Sequence, residues 1–374
     1  MENDDKKKVT LIATRNSGGG ASRIIRQLAN SFDENNVEVT INYIAEKVFS
    51  NEDIWPTINQ RVNVEVSGVS RSSLSLPWLY NKNKGKKGTV ICFGRTAAVS
   101  YILTSFFSKK EGNIYIWEGK SLSDAKKGAK GIVGRYILPM LVRLTYSRAE
   151  GLIGISDEEV QDFGRQLNLG KSSKLLKIYT PAITSEHFDK IKETLPDWYR
   201  EVGCNKTVIT AAGSFIPQKN FSMLIEAFSI ICKERKDIVL ILMGDGPERN
   251  KLEGLADSLN ITDDVKFTGY INNPLPIIAE GDCFVLSSSW EGLPGVLIEA
   301  IFCETRIVAT NCPSGPSEIL DEGKYGFLTK VNDKYDMANN IRIALSSEIP
   351  QGLRERSQIF SETKVITQYM ELLK

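Results

Sequence analysis

Two glutamates and a proline mark a segment whose residue types suit a phosphorylated ligand. Glu291 lies in a polar loop after an apolar run, and Pro294 lies where the next helix is predicted to open. The first N–H groups of a helix have no partners within it and attract anions, and Glu299 follows about one turn later. Since carboxylates accept hydrogen bonds from hydroxyls, the pattern suits a diphosphate between two groups with vicinal hydroxyls, as in a sugar nucleotide. An ordinary capped turn with a solvated glutamate would give the same local sequence.

Glycine-containing loops follow three other apolar runs. Gly18 to Gly20 come after the first predicted strand, where missing side chains would let backbone amides approach a phosphate, although a plain loop fits equally. Residues 213–220 hold Lys219, which could place an ammonium on a diphosphate or could be a surface lysine. The turn at 243–248 is interpreted as mainly structural. His187, the only histidine, is expected at the surface of a linker, which disfavours a Ser/His/Asp triad or a histidine metal site.

The elements that must position these residues alternate between short β-rich runs and helix-like segments. This alternation predicts parallel sheets covered by helices on both faces, an α/β class. The pattern restarts near residue 207, so we expect two doubly wound domains with a linker within 181–205 and ligands at the carboxyl ends of the strands. Strands are predicted at Val9–Ala13, Val37–Tyr43, Thr89–Phe93, Asn113–Trp117, Gly151–Ile155, Leu175–Tyr179, Thr207–Ala212, Ile238–Met243, Val265–Thr268, Cys283–Leu286 and Arg306–Thr310. Helices are predicted at Ala21–Phe32, Ala97–Phe107, Gly134–Ser147, Asp157–Leu167, Phe221–Arg235, Pro247–Leu259 and Gly295–Phe302.

Composition favours a cytoplasmic globular protein. The 374 residues are 41% hydrophobic and 25% charged, which is enough for two cores. The longest apolar stretches fall short of a bilayer span of roughly 18 residues, and the charged start Met1–Lys8 lacks a signal-peptide pattern. The six cysteines show no CxxC pairing and are interpreted as reduced thiols, mostly in the core, rather than as zinc ligands or disulfides.

The net charge of +1 conceals two electrically distinct halves. Residues 1–185 hold 27 Lys and Arg against 18 Asp and Glu, a net charge of +9, whereas residues 186–374 carry −8. A basic half could meet anionic lipid on the inner face of the cell membrane or a phosphate-bearing acceptor, or it could be a solvated face. Nucleic acid is disfavoured because no recognised binding module accompanies the charge. The basic residues cluster at Lys82, Lys84, Lys86, Lys87, Lys120, Lys126, Lys127, Lys130, Arg135, Arg143 and Arg148.

Taken in order, these segments resemble the retaining glycosyltransferases of family 4, which have the GT-B fold. The matching features are the glycine loop 16–20, Gly-x5-Lys-Asn at 213–220, Gly-x-Gly-Pro at 244–247 and the two glutamates with seven residues between them. The segment 311–320 is similar to a variant frequent in bacterial envelope enzymes that transfer HexNAc or galactose-type sugars. The resemblance implies domains at 1–185 for the acceptor and 186–355 for the donor, with a closing helix in 356–374 that packs back on the first domain.

Carried over to this sequence, the resemblance implies that Lys219 contacts the diphosphate, Glu299 the ribose and Glu291 the transferred sugar. The chain departs from the family in having Ser214 where an Arg is usual. It also has Glu118 near a usual His, and we include Glu118 with Lys219 and Glu291 as a candidate catalytic residue. The implied donor-binding residues are Gly19, Gly20, Ser214, Lys219, Gly244, Leu293, Pro294, Gly295, Val296, Leu297 and Glu299.

The expected function is transfer of a hexose or N-acetylhexosamine, with retention, from a UDP-sugar to a glycan or lipid-linked glycan of the cell surface, as in lipopolysaccharide synthesis. No Asp-x-Asp occurs in the chain, so we expect neither a metal nor a cofactor: protein cations and helix dipoles would carry the diphosphate charge. The missing Arg and His leave open a noncatalytic subunit of the same fold that binds glycan or supports a partner. A sugar-nucleotide epimerase or a phosphorylase is a further alternative.

Overall fold

The computed structural model describes residues 6–14, 20–45, 57–70, 72–84, 87–107, 112–119, 136–167, 174–203 and 205–373. These residues divide into two compact units. The first unit comprises residues 1–181 together with 363–374, and the second comprises 182–362. The chain thus leaves the first unit once and returns to it at its end.

The first unit is built on a seven-stranded parallel sheet in the order β3-β2-β1-β4-β5-β6-β7. Its central strands are buried along almost their whole length, as expected where helices cover both faces of such a sheet. The order reverses between β1 and β4, and ligands of doubly wound sheets bind at such a point. The strands are β1 Lys8–Ala13, β2 Glu38–Tyr43, β3 Asn63–Val66, β4 Thr89–Phe93, β5 Ile114–Glu118, β6 Gly151–Gly154 and β7 Lys174–Lys177.

The last helix of the chain packs on the first unit. The ring of Tyr369 is fully buried and meets Phe32 edge to face, with the ring centroids 6.3 Å apart. The Thr89 hydroxyl donates to the carbonyl of Leu372 over 3.3 Å. The helices of this unit are α1 Gly20–Glu34, α2 Leu76–Asn83, α3 Arg95–Ser105, α4 Leu138–Tyr146, α5 Asp157–Leu167 and, at the end of the chain, α15 Glu362–Leu372.

The second unit contains a six-stranded parallel sheet in the order β10-β9-β8-β11-β12-β13. Its strands are β8 Thr207–Ala212, β9 Ile238–Met243, β10 Val265–Gly269, β11 Cys283–Leu286, β12 Arg306–Thr310 and β13 Phe327–Thr329. Its helices are α6 His187–Lys190, α7 Asp197–Gly203, α8 Phe221–Cys232, α9 Arg249–Ser258, α10 Leu275–Glu280, α11 Gly295–Phe302, α12 Pro316–Ile319, α13 Lys334–Ser346 and α14 Leu353–Ser357.

The α/β architecture agrees with the prediction, but several local predictions need correction. Strands β3 and β13 were not predicted, and β5, predicted to end at Trp117, extends by one residue to Glu118. The first unit ends at Pro181 instead of residue 185, and the expected linker region contains helices α6 and α7. The expected closing segment 356–374 is divided, because only residues from Thr363 onward belong to the first unit.

The structure also bears on the cysteines and on the length of the apolar helices. Five of the cysteines are buried free thiols, at positions 92, 232, 283, 303 and 312, and Cys204 lies outside the described residues. None of the helices within the described ranges combines the length and apolar character needed to cross a bilayer.

Candidate functional site

Three loops converge at the carboxyl edge of the second sheet. Strands β8 and β11 are neighbours although two other strands lie between them in sequence, so the winding of the sheet reverses here. The loops 213–220, 287–294 and 311–315 leave the carboxyl ends of β8, β11 and β12. Ser287 Oγ donates to the Lys219 carbonyl over 2.7 Å, and Thr310 Oγ1 donates to the Ser288 carbonyl over 2.6 Å. The fold therefore brings the sequence-predicted segments to the point where such sheets bind ligands.

Lys219 and Glu291 form an ion pair at this edge. The Lys219 ammonium lies 2.6 Å from Glu291 Oε1, and the side chains of the two residues are only 18% and 7% exposed. Ser288 Oγ donates to the same carboxylate oxygen over 2.6 Å, while Gln218 Nε2 lies 3.4 Å from the other oxygen. These contacts hold Glu291 in one position. An ammonium has three N–H donors, so pairing with Glu291 leaves Lys219 able to bind an anion as well.

Glycines let the loops that carry this pair lie close together. A Cβ on Gly244 would stand 1.9 Å from the Gly213 carbonyl oxygen, so only glycine fits there without moving the backbone. The alkyl stem of Lys219 lies against Gly213, where an added Cβ would meet its carbons at 3.4 to 3.6 Å. Gly244, predicted to bind the donor, thus supports the Lys219 loop through backbone packing. Ser214 lies in the same loop and is exposed.

The N-terminus of α11 opens beside the ion pair. Pro294 is the residue before the helix rather than its first residue, and no side chain caps the helix start. The Leu297 amide donates to the Pro294 carbonyl over 3.0 Å, whereas the amides of Gly295 and Val296 precede the first such bond of the helix. A Cβ on Gly315 would lie 2.7 Å from Pro294 Cδ, which shows how tightly the 311–315 loop supports this turn.

His187 is a functional candidate that the sequence reasoning missed. It was expected at the surface, but its side chain is only 6% exposed and lies in α6 with Nε2 3.9 Å from Glu299 Oε1. The Thr184 amide donates to His187 Nδ1 over 3.1 Å, which places the proton of the neutral ring on Nε2, toward Glu299. The His187 ring also meets Phe302 edge to face at 5.8 Å. His187 therefore lies beside the carboxylate of Glu299, and no sequence spacing relates the two residues.

A second buried cluster lies in the first unit at the ends of β4 and β5. Glu118 accepts a hydrogen bond from the Tyr146 hydroxyl, and Arg95 Nε lies 3.7 Å from the same carboxylate oxygen. Burial raises the pKa of Glu118 above its ordinary value, although the charge of Arg95 and the Tyr146 hydrogen bond oppose that effect. Burial and the neighbouring carboxylate also raise the pKa of Tyr146. Glu118 is thus neither an exposed nor a loop residue.

Two predicted donor-binding glycines belong to the first unit. Gly19 lies outside the described residues, and Gly20 is the first residue of α1. Within the described ranges, no group of three or more His, Cys, Asp and Glu side chains could hold a metal ion.

The chain is similar to known proteins in both sequence and structure. Residues 201–363 match the family model described as glycosyl transferases group 1. The Anabaena protein HepE, solved in complex with UDP, superposes with a TM-score of 0.79 at 19% identity over 97% of this chain and 98% of HepE. The chain therefore has the fold of these GT-B neighbours, as predicted, and the family match lies at residues 201–363.

Two relatives extend the comparison. An uncharacterized glycosyltransferase of Methanocaldococcus jannaschii is 36% identical over 151 residues, which is 37% of this chain and 37% of that protein. The N-acetylgalactosamine-N,N'-diacetylbacillosaminyl-diphospho-undecaprenol 4-alpha-N-acetylgalactosaminyltransferase of Campylobacter jejuni is 23% identical over 80% of this chain and 81% of its own length. The chain thus matches only about a third of the archaeal relative but most of the Campylobacter enzyme.

Proposed function

We propose that this chain transfers a hexose or N-acetylhexosamine from a nucleotide sugar, with UDP as the nucleotide, to a glycan or lipid-linked glycan of the cell surface. The observation that carries the proposal is the convergence of the Lys219–Glu291 ion pair, the open N-terminus of α11 and Glu299 at the switch point of the second sheet. The lysine ammonium and the free backbone amides can bind a diphosphate. The two carboxylates can accept hydrogen bonds from hydroxyl-bearing groups on either side of it.

Each group has a separate role in this proposal. Glu299, oriented by His187, accepts hydrogen bonds from the ribose hydroxyls. Lys219 and the amides of Gly295 and Val296 bind the diphosphate, and Glu291 accepts hydrogen bonds from the transferred sugar. The Lys219–Glu291 contact would then link the position of the sugar to the charge on its leaving group. Lys219 and the helix terminus stabilise the charge that develops on the diphosphate as its bond to the sugar breaks.

The proposed reaction retains the anomeric configuration. The bond from the anomeric carbon to the diphosphate oxygen breaks, and the acceptor oxygen forms its bond on the same face of the sugar. The acceptor proton passes to the departing phosphate oxygen, so the step needs no enzymic nucleophile. Lys219 and the α11 amides supply positive charge, and we therefore propose that no metal ion is required.

Two comparisons support the choice of substrates. The structural neighbour HepE was solved with UDP, and the name of the Campylobacter relative specifies an acceptor linked to diphospho-undecaprenol. We propose by analogy that this chain also uses a UDP-sugar and a polyprenyl-linked or surface glycan on the cytoplasmic side of the membrane.

Ligand binding and donor turnover test this function together. Among UDP, GDP and ADP, we expect UDP to raise the melting temperature most, because binding only the folded state stabilises it. Hydrolysis of UDP-glucose, UDP-galactose and their N-acetylhexosamine forms should then identify one preferred sugar, and EDTA should leave its rate unchanged. A many-fold stimulation by Mg²⁺ or Mn²⁺ would contradict the metal-independent reaction. Nucleotide binding without turnover of any donor, even with a glycan acceptor, would instead indicate a noncatalytic subunit.

Glu118 is proposed as a further catalytic residue because it is a buried carboxylate held by Arg95 and Tyr146 at a strand end. Glu118→Gln keeps the shape and removes the charge, so we expect turnover to fall about tenfold or more, at 1.36 kcal/mol per decade. The melting temperature at neutral pH should not fall, because burial disfavours the charged form of this residue. Kinetics and thermal unfolding of the same preparation measure both effects.

The pH dependence of stability gives an independent readout for Glu118. Its pKa in the folded state is raised from 4.5, so the folded state binds more protons than the unfolded state just above that pH. Wild-type stability should therefore lose a contribution as pH rises above 4.5, and Glu118→Gln should lack that loss. Glu38→Gln, at an exposed ion pair with Lys8, is the control. Parallel profiles for wild type and Glu118→Gln would contradict the inferred cost of the buried charge.

A further inference from the structure

Trp290 presents its side chain to water at the carboxyl edge of the second sheet. It lies in the loop between β11 and α11, directly before Glu291, and is 52% exposed. Trp117 in β5, by contrast, is 5% exposed, because an indole ring is large and mostly apolar and gains stability from burial. A single exposed apolar residue is common on protein surfaces, so exposure alone does not identify a binding site. What distinguishes Trp290 is the way its backbone is held and the groups beside it.

The backbone of Trp290 is fixed on both sides. The Gln218 side-chain amide donates to the Trp290 carbonyl over 2.9 Å. The next backbone amide, that of Glu291, donates to the Pro313 carbonyl over 3.3 Å. These partners come from the loops that follow β8 and β12, so two other loops of the site hold the point from which the indole projects. A side chain on a fixed backbone loses less conformational entropy when it binds a ligand, which favours a binding role for the ring.

The groups beside Trp290 suit a carbohydrate. Gln218 Nε2 also lies 3.4 Å from Glu291 Oε2, so one side chain connects the Trp290 backbone with the carboxylate proposed to accept hydrogen bonds from the transferred sugar. A hexopyranose has C–H groups on one face and hydroxyls around its rim. The face of an indole is apolar and negatively polarised, so it can contact those C–H groups while carboxylate and amide groups bind the hydroxyls. An exposed indole next to hydrogen-bonding side chains therefore matches a pyranose ring better than a purely apolar partner.

We propose that Trp290 is a platform on which the pyranose ring of a carbohydrate substrate stacks. This inference rests on the proposed glycosyl transfer and adds a sugar-binding residue to it. The donor and the acceptor both offer a pyranose ring, so the experiment measures them separately. Uracil is the other planar partner in the proposed substrates. The affinity for UDP, which contains no pyranose, shows whether the indole stacks on the base instead.

Substitution of the indole tests the platform. Trp290→Leu removes the ring and keeps an apolar side chain, whereas Trp290→Phe keeps a smaller aromatic ring. We expect Trp290→Leu to weaken binding of one pyranose substrate about tenfold, because ring contacts add to the effect of buried area, and Trp290→Phe to recover most of that loss. A higher KM for hydrolysis of UDP-glucose, UDP-galactose or their N-acetylhexosamine forms would assign the stacked ring to the donor. Weaker binding only of the methyl glycosides of these sugars, measured with UDP bound, would assign it to the acceptor.

A matched control separates stacking from a general effect of exposed apolar residues. Ile343 is 43% exposed on α13, and Arg306 Nε, at the start of β12, donates to the Ser347 carbonyl over 2.8 Å. The end of α13 therefore lies at the opposite edge of the sheet, and Ile343→Ala should bind every substrate like wild type. Trp290→Leu should keep the wild-type melting temperature and the wild-type Kd for UDP.

Two results would overturn the stacking on a sugar. One is a weaker Kd for UDP in Trp290→Leu, which would place the indole on uracil. The other is binding of the UDP-sugars and the methyl glycosides equal to wild type in that variant. Failure of wild type to bind UDP or UDP-sugars would instead contradict the proposed function. Fluorescence then still decides on the stacking, because methyl glycosides should change the emission of wild type but not that of Trp290→Leu.

Discussion

Replacing Lys219 with methionine is expected to lower kcat at least a hundredfold. Methionine keeps most of the alkyl stem that packs on Gly213 and removes only the charge. Loss of one preorganised donor to a developing negative charge typically costs about 2.7 to 4 kcal/mol, or roughly 10² to 10³ in rate. Steady-state kinetics with the preferred UDP-sugar measure this loss, and Lys251→Met, at an exposed lysine, is the matched control.

The buried partner of Lys219 adds an effect on folding. Glu291 is nearly buried, so removing Lys219 leaves a carboxylate with only Ser288 and Gln218 to support it. Breaking a buried pair by removing one member costs about 3 to 5 kcal/mol in many proteins, and these two donors should reduce that figure. The double variant Lys219→Met/Glu291→Gln should recover stability but not turnover. If turnover recovers together with stability, the loss in Lys219→Met came from the unpaired charge of Glu291, and the proposed contact of Lys219 with the diphosphate is wrong.

Replacing Glu299 with alanine is expected to weaken UDP binding about tenfold to a hundredfold or more. A hydrogen bond to a charged group contributes about 1.5 to 3 kcal/mol, and 1.4 kcal/mol corresponds to one decade in Kd. The variant removes the acceptor for two ribose hydroxyls while leaving the α11 amides in place. Isothermal titration calorimetry measures the affinity, and Glu348→Ala at an exposed position is the control. Unchanged UDP affinity would show that Glu299 does not bind the ribose.

His187 allows the orientation of Glu299 to be tested without removing its carboxylate. His187→Phe keeps a ring against Phe302 but removes the N–H that points toward Glu299. We expect a smaller loss of UDP affinity than in Glu299→Ala, and no further loss when both substitutions are combined. A change in melting temperature with no change in Kd would assign His187 a purely structural role.

The sequence alone was sufficient to predict the strands and helices whose apolar residues follow a clear pattern. Strand β9 is a fully buried apolar run, and α11 spans the predicted residues 295–302, because burial on both faces leaves a pattern that local sequence displays. Strands without a clear apolar pattern were not predicted. Strand β3, Asn63–Val66, is largely exposed at the sheet edge, and β13 has three residues, so neither has enough apolar periodicity to be recognised.

The glutamate pair, Lys219 and the glycine turns could also be proposed as site residues from sequence, since each lies in a local motif with fixed spacing. Which of these groups touch was decided by the tertiary structure. Lys219 and Glu291 are 72 residues apart and meet only because β8 and β11 are neighbours in the sheet. The contacts of His187 with Glu299 and of Glu118 with Tyr146, and the exposure of Trp290, have the same origin. Side-chain periodicity in the sequence indicates on which face of a helix or strand a residue lies. Strand order and helix packing then determine whether that face meets another part of the protein or water.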